Sequence, residues 1–185
     1  RHESALENGA AHFIEHMLFK GTARRSAAQL ARDMDAIGGQ VNAYTTKEHT
    51  CFYARSLDRH LDQALDILSD MLFHSRFAQK DVEMERSVIL EEIGMYEDAP
   101  DDLVSERLAA AVYKGSPLAR PILGTQSTLA PMTGAWLDQW RREHYRPGVL
   151  VAALAGSFTD SQVDKLKDCL SALEPGVAPV QKPAA

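Results

Sequence analysis

Leu61, Leu65, Leu68 and Leu72 recur every three or four residues, which predicts a helix over Leu57–Phe73. A second apolar cluster, Phe13, Met17, Leu18 and Phe19, marks a helix over Gly9–Lys20, with Gly21 as its C-cap. Ser26 and Gln29 have the spacing of a capping box and open a helix that runs to Ile37 and stops at Gly38-Gly39. The pattern then changes to period two. Gln40–Thr46 and His49–Ser56 alternate and are rich in Val, Thr, Tyr and Phe, so they read as two strands joined at Lys47-Glu48. Further helices are expected over Asp81–Glu97, ending before Ala99-Pro100, over Asp102–Tyr113 and over Met132–Tyr145. Lys114–Gly124 reads as a loop. Val149–Ala155 is a continuous apolar run of the kind that forms a buried strand. Thr159 and Gln162 form a second capping-box pair and start a last helix that reaches Leu173. Helices and strands do not alternate one for one. The expected class is therefore α+β, with an antiparallel or mixed sheet covered by helices.

The chain has 185 residues, 45% of them hydrophobic, which is enough for one domain with a sizeable core. That domain is expected over residues 1–173, followed by a Pro-, Gly- and Ala-rich linker over 174–185. No stretch has the apolar length of a membrane span, and no basic segment followed by a short apolar run suggests a signal peptide. A net charge of −6 argues against nucleic acid as a partner. Cys51 and Cys169 are far apart and form no C-x-x-C pair, which fits a reducing, intracellular setting. The acidity is local. Between Asp81 and Glu106 stand ten acids and one base, Arg86, a density that points to carboxylates serving a cation.

His12 and His16 are four residues apart in the first helix, so their imidazoles share one face about a turn apart. Two histidines so placed can bind one zinc ion. Glu15 borders the same face and is the candidate general base of an H-x-x-E-H peptidase motif. A catalytic zinc needs a third protein ligand. On the acid-rich helix, Val82, Ile89, Ile93 and Tyr96 form the apolar face, Glu85 and Glu92 lie on one flank, and Glu91 points away. Geometry alone prefers Glu92 or Glu85.

These residues carry a resemblance to the pitrilysin-type zinc peptidases, which include insulin-degrading enzyme and the β-subunit of the mitochondrial processing peptidase. The run His12–Thr22 (HFIEHMLFKGT) matches, as do Gly38–Thr46 (GGQVNAYTT), Glu85–Met95 (ERSVILEEIGM), Asp98-Ala99-Pro100, Pro117–Thr125 (PLARPILGT) and His144-Tyr145-Arg146-Pro147. The likeness extends to bacterial and mitochondrial processing-peptidase-like members. It implies Glu92, the last residue of the E-R-x-x-x-x-x-E pattern, as third ligand, and Glu85 as the carboxylate that orients a histidine ligand. It implies one Zn2+ per chain. It implies that peptide substrate adds as a strand at Asn42, Ala43, Tyr44 and Thr45. Ser116 and Ala119 depart from the family's usual His and Gly, outside the metal site. The resemblance covers the first domain of a four-domain clamshell, without its opening strands. A second half, on the same polypeptide or as a partner in a homo- or heterodimer, is then expected to supply an Arg and a Tyr that hold the substrate carbonyl.

The expected function is a zinc metalloendopeptidase acting on peptides or small unfolded proteins, located in the bacterial cytoplasm or alternatively in the mitochondrial matrix. The rival reading is a non-catalytic partner subunit. Such chains typically lose the metal residues, whereas this sequence keeps His12, Glu15, His16 and Glu92.

Overall fold

The computed structural model describes residues 1–171 and Leu173. The linker expected at 174–185 lies outside the described residues. Helix α1 (Ala10–Leu18) occupies the centre, where Ala10, Phe13, Ile14, Met17 and Leu18 are almost fully buried. It touches a two-stranded antiparallel sheet, β1 (Gln40–Thr45) and β2 (Thr50–Arg55), on one side. On another it meets the long helix α4 (Gln79–Asp98) and helix α7 (Gly134–His144). Helix α2 (Ala27–Ala36) and helix α3 (Leu61–His74) pack together behind the sheet, and α8 (Asp160–Ser171) lies against α3. The result is a helix-rich α+β domain, the class expected from the sequence.

The start of α1 is tightly specified. Gly9 has φ 94° and a Cβ there would sit 2.8 Å from the Leu123 carbonyl oxygen, so only glycine allows this approach to Gly124. The Glu3 carboxylate accepts from the Gly9 and Ala11 amides at 3.0 and 2.8 Å, satisfying two of the helix's free N–H groups with a negative charge at its positive end. At the other end, Phe19 caps the helix and Gly21 does not. Gly21 instead has φ 114° and forms an isolated bridge with Ser26. The turn that follows α1 needs two residues before the glycine conformation, which moves the helix end toward the N-terminus.

Most other boundaries fall within a few residues of expectation. The Thr159–Gln162 pair closes a reciprocal cap, with Thr159 N–H donating to Gln162 Oε1 at 2.9 Å. The helix expected over Met132–Tyr145 is α7, which begins at Gly134 with Thr133 as its cap and ends at His144. A short helix that was not expected, α6 (Gln126–Leu129), precedes it, capped by Thr125 and Thr128. One further expectation is corrected. Val149–Ala155 is not a buried strand. It carries no strand pairing among the described residues, and Val151 is 91% exposed. An apolar run becomes a buried strand only where a neighbouring strand takes its backbone groups and another layer covers its side chains. Helix α5 (Pro100–Val112) also stands apart, because none of its residues is buried.

Candidate metal centre

Burial of α1 on its Phe13, Ile14, Met17 and Leu18 side leaves His12 and His16 on the face toward α4. Their rings lie with centroids 4.6 Å apart and tilted by 62°. Helix α4 buries Val82, Glu85 and Ile89, and Arg86 fastens it by donating to the Leu129 and Met132 carbonyls at 3.1 and 2.6 Å. This register delivers Glu92 to the histidines. Its Oε2 lies 3.7 Å from His12 Nε2 and 3.6 Å from His16 Nε2. Both distances exceed a hydrogen bond. They are close to the roughly 3.4 Å that separates two ligand atoms bonded at about 2.1 Å to a tetrahedral ion. The three donor atoms all lie within 4.8 Å of one another. Glu91 is exposed and takes no part, whereas Glu85 is buried.

The electrostatics suit a divalent cation. Burial, and after it the neighbouring His16, pushes His12 down to about 4, so its imidazole is neutral at neutral pH, as a ligand must be. His16 Nδ1 sits 3.0 Å from Glu85 Oε2. A carboxylate there draws the ring proton to Nδ1 and leaves the Nε2 lone pair facing Glu92. The other Glu85 oxygen is ion-paired with Lys20 Nζ. The donor set of two imidazole nitrogens and one carboxylate oxygen, with a side left open, fits a catalytic zinc ion.

Glu15 is half-buried beside this cradle. Burial pushes its carboxyl above the ordinary value, and the negative charge of Glu92 adds to that; a hydrogen bond from Thr45 and the neighbouring His16 work the other way. The Thr45 hydroxyl donates to Glu15 Oε2 at 2.5 Å and lies 3.1 Å from the Thr50 hydroxyl. Thr45 was expected to act through its backbone in a substrate strand. Its side chain also holds the candidate base.

Asn42, Ala43, Tyr44 and Thr45 lie on β1, paired with Tyr53, Phe52, Cys51 and Thr50 of β2. The other edge of β1 has no strand partner among the described residues. Asn42 and Tyr44 side chains are exposed, while Ala43 and Thr45 face the helices. A cavity of about 770 Å³ lies elsewhere, between β2, α3, Trp140 and Tyr145. Thr45 lines it, but His12, Glu15, His16 and Glu92 do not. The candidate metal cradle lies outside that cavity, next to β1 through Glu15 and Thr45.

A central helix offering two histidines and a second helix offering a carboxylate define an α+β domain with a candidate metal-binding face. Comparison with known proteins gives this class a family. The family model of Insulinase (Peptidase family M16) matches residues 1–126, and the chain belongs to that family. The chain is 47% identical over 174 residues to uncharacterized zinc protease YmxG of Bacillus subtilis (strain 168), covering 94% of this chain and 42% of that one. It is 42% identical over 177 residues to an uncharacterized zinc protease of Rickettsia felis, covering 95% and 43%. The chain therefore spans less than half the length of these relatives. Among solved structures, it matches the first half of the periplasmic protease PqqL of Escherichia coli with a TM-score of 0.82 at 27% identity, covering 100% of this chain and 41% of that one. It matches the peptidase M16 inactive domain of Pseudomonas fluorescens with a TM-score of 0.84 at 22% identity, covering 96% and 44%, a likeness of fold alone. No helix among the described residues is long and apolar enough to cross a membrane.

Proposed function

We propose that this domain is the metal-binding and base-bearing part of a zinc metalloendopeptidase of the inverted H-x-x-E-H kind. The carrying observation is the convergence of His12 Nε2, His16 Nε2 and Glu92 Oε2 around one gap, with Glu15 on the same helix. The naming of relatives as zinc proteases supports the choice of ion. Zinc in that gap supplies Lewis acidity, making water a stronger acid and polarising a peptide carbonyl.

The protein's own groups supply the rest. Glu15, held by Thr45, takes a proton from the attacking water and delivers it to the leaving amine. Its upward shift makes it a more effective proton acceptor than a fully exposed carboxylate. Asn42–Thr45 receives the substrate as an added strand, so recognition runs through the main chain and tolerates many sequences. The class of substrate is peptides or small unfolded proteins, which alone can present an extended segment to that edge. The groups that hold the substrate carbonyl from the opposite side are assigned to a second half of the enzyme.

The test uses the full-length protein. Glu15→Gln should retain zinc and lose peptide hydrolysis by about 10²–10⁴-fold, the usual worth of a general base. Undiminished cleavage by this variant would remove Glu15 from the role. No zinc in the wild-type protein would remove the metal reading.

A further inference from the structure

We propose that Lys20 is a positioning residue of the metal centre, acting through Glu85 to fix His16 and to decide which glutamate ligates the ion. The proposal rests on the zinc reading above. Lys20 lies just past the end of α1, where its amide donates to the Met17 carbonyl at 3.0 Å. That bond continues the helical turn for two residues, so His12, His16 and Lys20 follow one another at intervals of four along one side. A lysine one turn beyond two zinc ligands is an unfavourable place for a positive charge. Here the charge is taken up. Lys20 Nζ pairs with Glu85 Oε1, and Glu85 is nearly inaccessible, with a side-chain exposure of 8%.

Glu85 has two oxygens and two partners. One is tied to Lys20, and the other stands 3.0 Å from His16 Nδ1. A buried carboxylate with a single partner keeps rotational freedom, and its uncompensated charge is costly. With both oxygens engaged, it holds the imidazole in one orientation and one tautomer. The pairing also separates two otherwise similar acids. Glu85 and Glu92 lie two turns apart on the same side of α4, and either could approach the histidines. Lys20 ties off Glu85, which leaves Glu92 as the carboxylate facing both Nε2 atoms.

The experiment measures Zn2+ affinity of the full-length protein by competition with a chromophoric chelator, beside the melting temperature of each zinc-free variant. Lys20→Met should weaken zinc binding about 10–100-fold, the usual effect of losing a group that supports a ligand. Lys20→Arg should restore most of the loss. Glu85→Gln should weaken binding to a similar extent, and adding Lys20→Met to it should cost little more, because both changes remove the same support. Lys20→Gln carries the same expectation and keeps the test decisive if Lys20→Met does not fold. Unchanged affinity in these variants, losses that multiply in the double variant, or tighter binding would overturn the proposal. Tighter binding is what simple repulsion between the ammonium and Zn2+ demands. A wild type that binds zinc beside an indifferent Lys20→Met overturns this proposal alone, whereas a wild type that binds none overturns the metal reading with it.

Discussion

Two polar clusters lie within this small domain, and they are built on opposite rules. Behind the sheet, Asp70 on α3 is fully inaccessible and completely engaged. Its carboxylate accepts from Thr22 Oγ1 at 2.7 Å, Arg25 Nη1 at 2.6 Å and Arg24 Nε at 3.0 Å. Arg25 goes on to Asp66 and Asp33 at 2.5 and 2.8 Å. Every charge there answers another. On the α1–α4 face the accounting stays open. Glu92 faces the Nε2 atoms of His12 and His16 without bonding either. Only the supporting groups, Glu85 and Thr45, are closely bonded. A cluster that serves stability satisfies itself, because each unpaired buried charge costs several kcal/mol. A cluster that serves a ligand leaves its donors aimed at one point and satisfies the groups behind them.

The largest expected effect falls on the closed cluster. Asp70→Ala would leave the buried Thr22 hydroxyl without its acceptor and remove one carboxylate each from Arg24 and the partly buried Arg25, and should destabilise the protein by about 3–5 kcal/mol. Urea unfolding of the zinc-free protein measures this, and zinc affinity should be nearly unchanged in whatever folds. If zinc binding falls as steeply as stability, the two clusters are not independent. The same cluster sets an acid limit. Burial works to raise the Asp70 carboxyl, but the hydrogen bonds from Thr22, Arg25 and Arg24 outweigh it and hold it below its ordinary value near 3.8. A carboxyl lowered on folding contributes its full stabilisation above the unfolded value. That contribution fades as pH falls below 3.8 toward the folded value. The stability gap between wild type and Asp70→Asn should therefore be constant near neutrality and shrink in acid below that point.

The open cluster inverts this pattern. Glu92→Ala should weaken zinc binding by more than the 10–100-fold expected for a supporting residue, while stability of the zinc-free protein stays within about 1 kcal/mol. Glu91→Ala, one residue away and exposed, should do neither. Elemental analysis and chelator competition decide it. Equal losses from the two variants would break the assignment of Glu92.

Legibility in the sequence followed the same division. Helix α1 was readable because Phe13, Met17 and Leu18 sit at helical spacing and all three are buried in the core. The third ligand was only half readable. A helical wheel admits Glu85 and Glu92 alike, and the family resemblance preferred Glu92. What separates them in space is Lys20, whose place four residues after His16 was visible but whose pairing across to α4 was not. Val149–Ala155 misled because hydrophobicity specifies burial and not the partner that a strand requires. Helix α6 was missed for its length, although Thr125 and Thr128 announce its cap at three-residue spacing.

Thr45 is where sequence periodicity held an unread signal, and it carries the smallest prediction. Along β1, Val41, Ala43 and Thr45 turn toward the helices while Asn42 and Tyr44 face out. Alternation alone thus gives Thr45 two duties, a backbone on the open edge and a hydroxyl on the inside. That hydroxyl reaches Glu15 and also stands beside Thr50, so it donates to the carboxylate and can accept from its neighbour. Thr45→Val keeps the shape and the backbone and removes the donor. A hydrogen bond to a charged group is worth about 1.5–3 kcal/mol, so kcat should fall about 10–100-fold. KM and zinc affinity should change little, because the strand edge and the ligands are untouched. Thr45→Ser should recover most of the rate. A loss confined to KM would place the side chain in substrate binding instead. An unaffected rate would mean that α1 alone holds Glu15 in place, and that the open cluster needs less support from the sheet than its hydrogen bonds suggest.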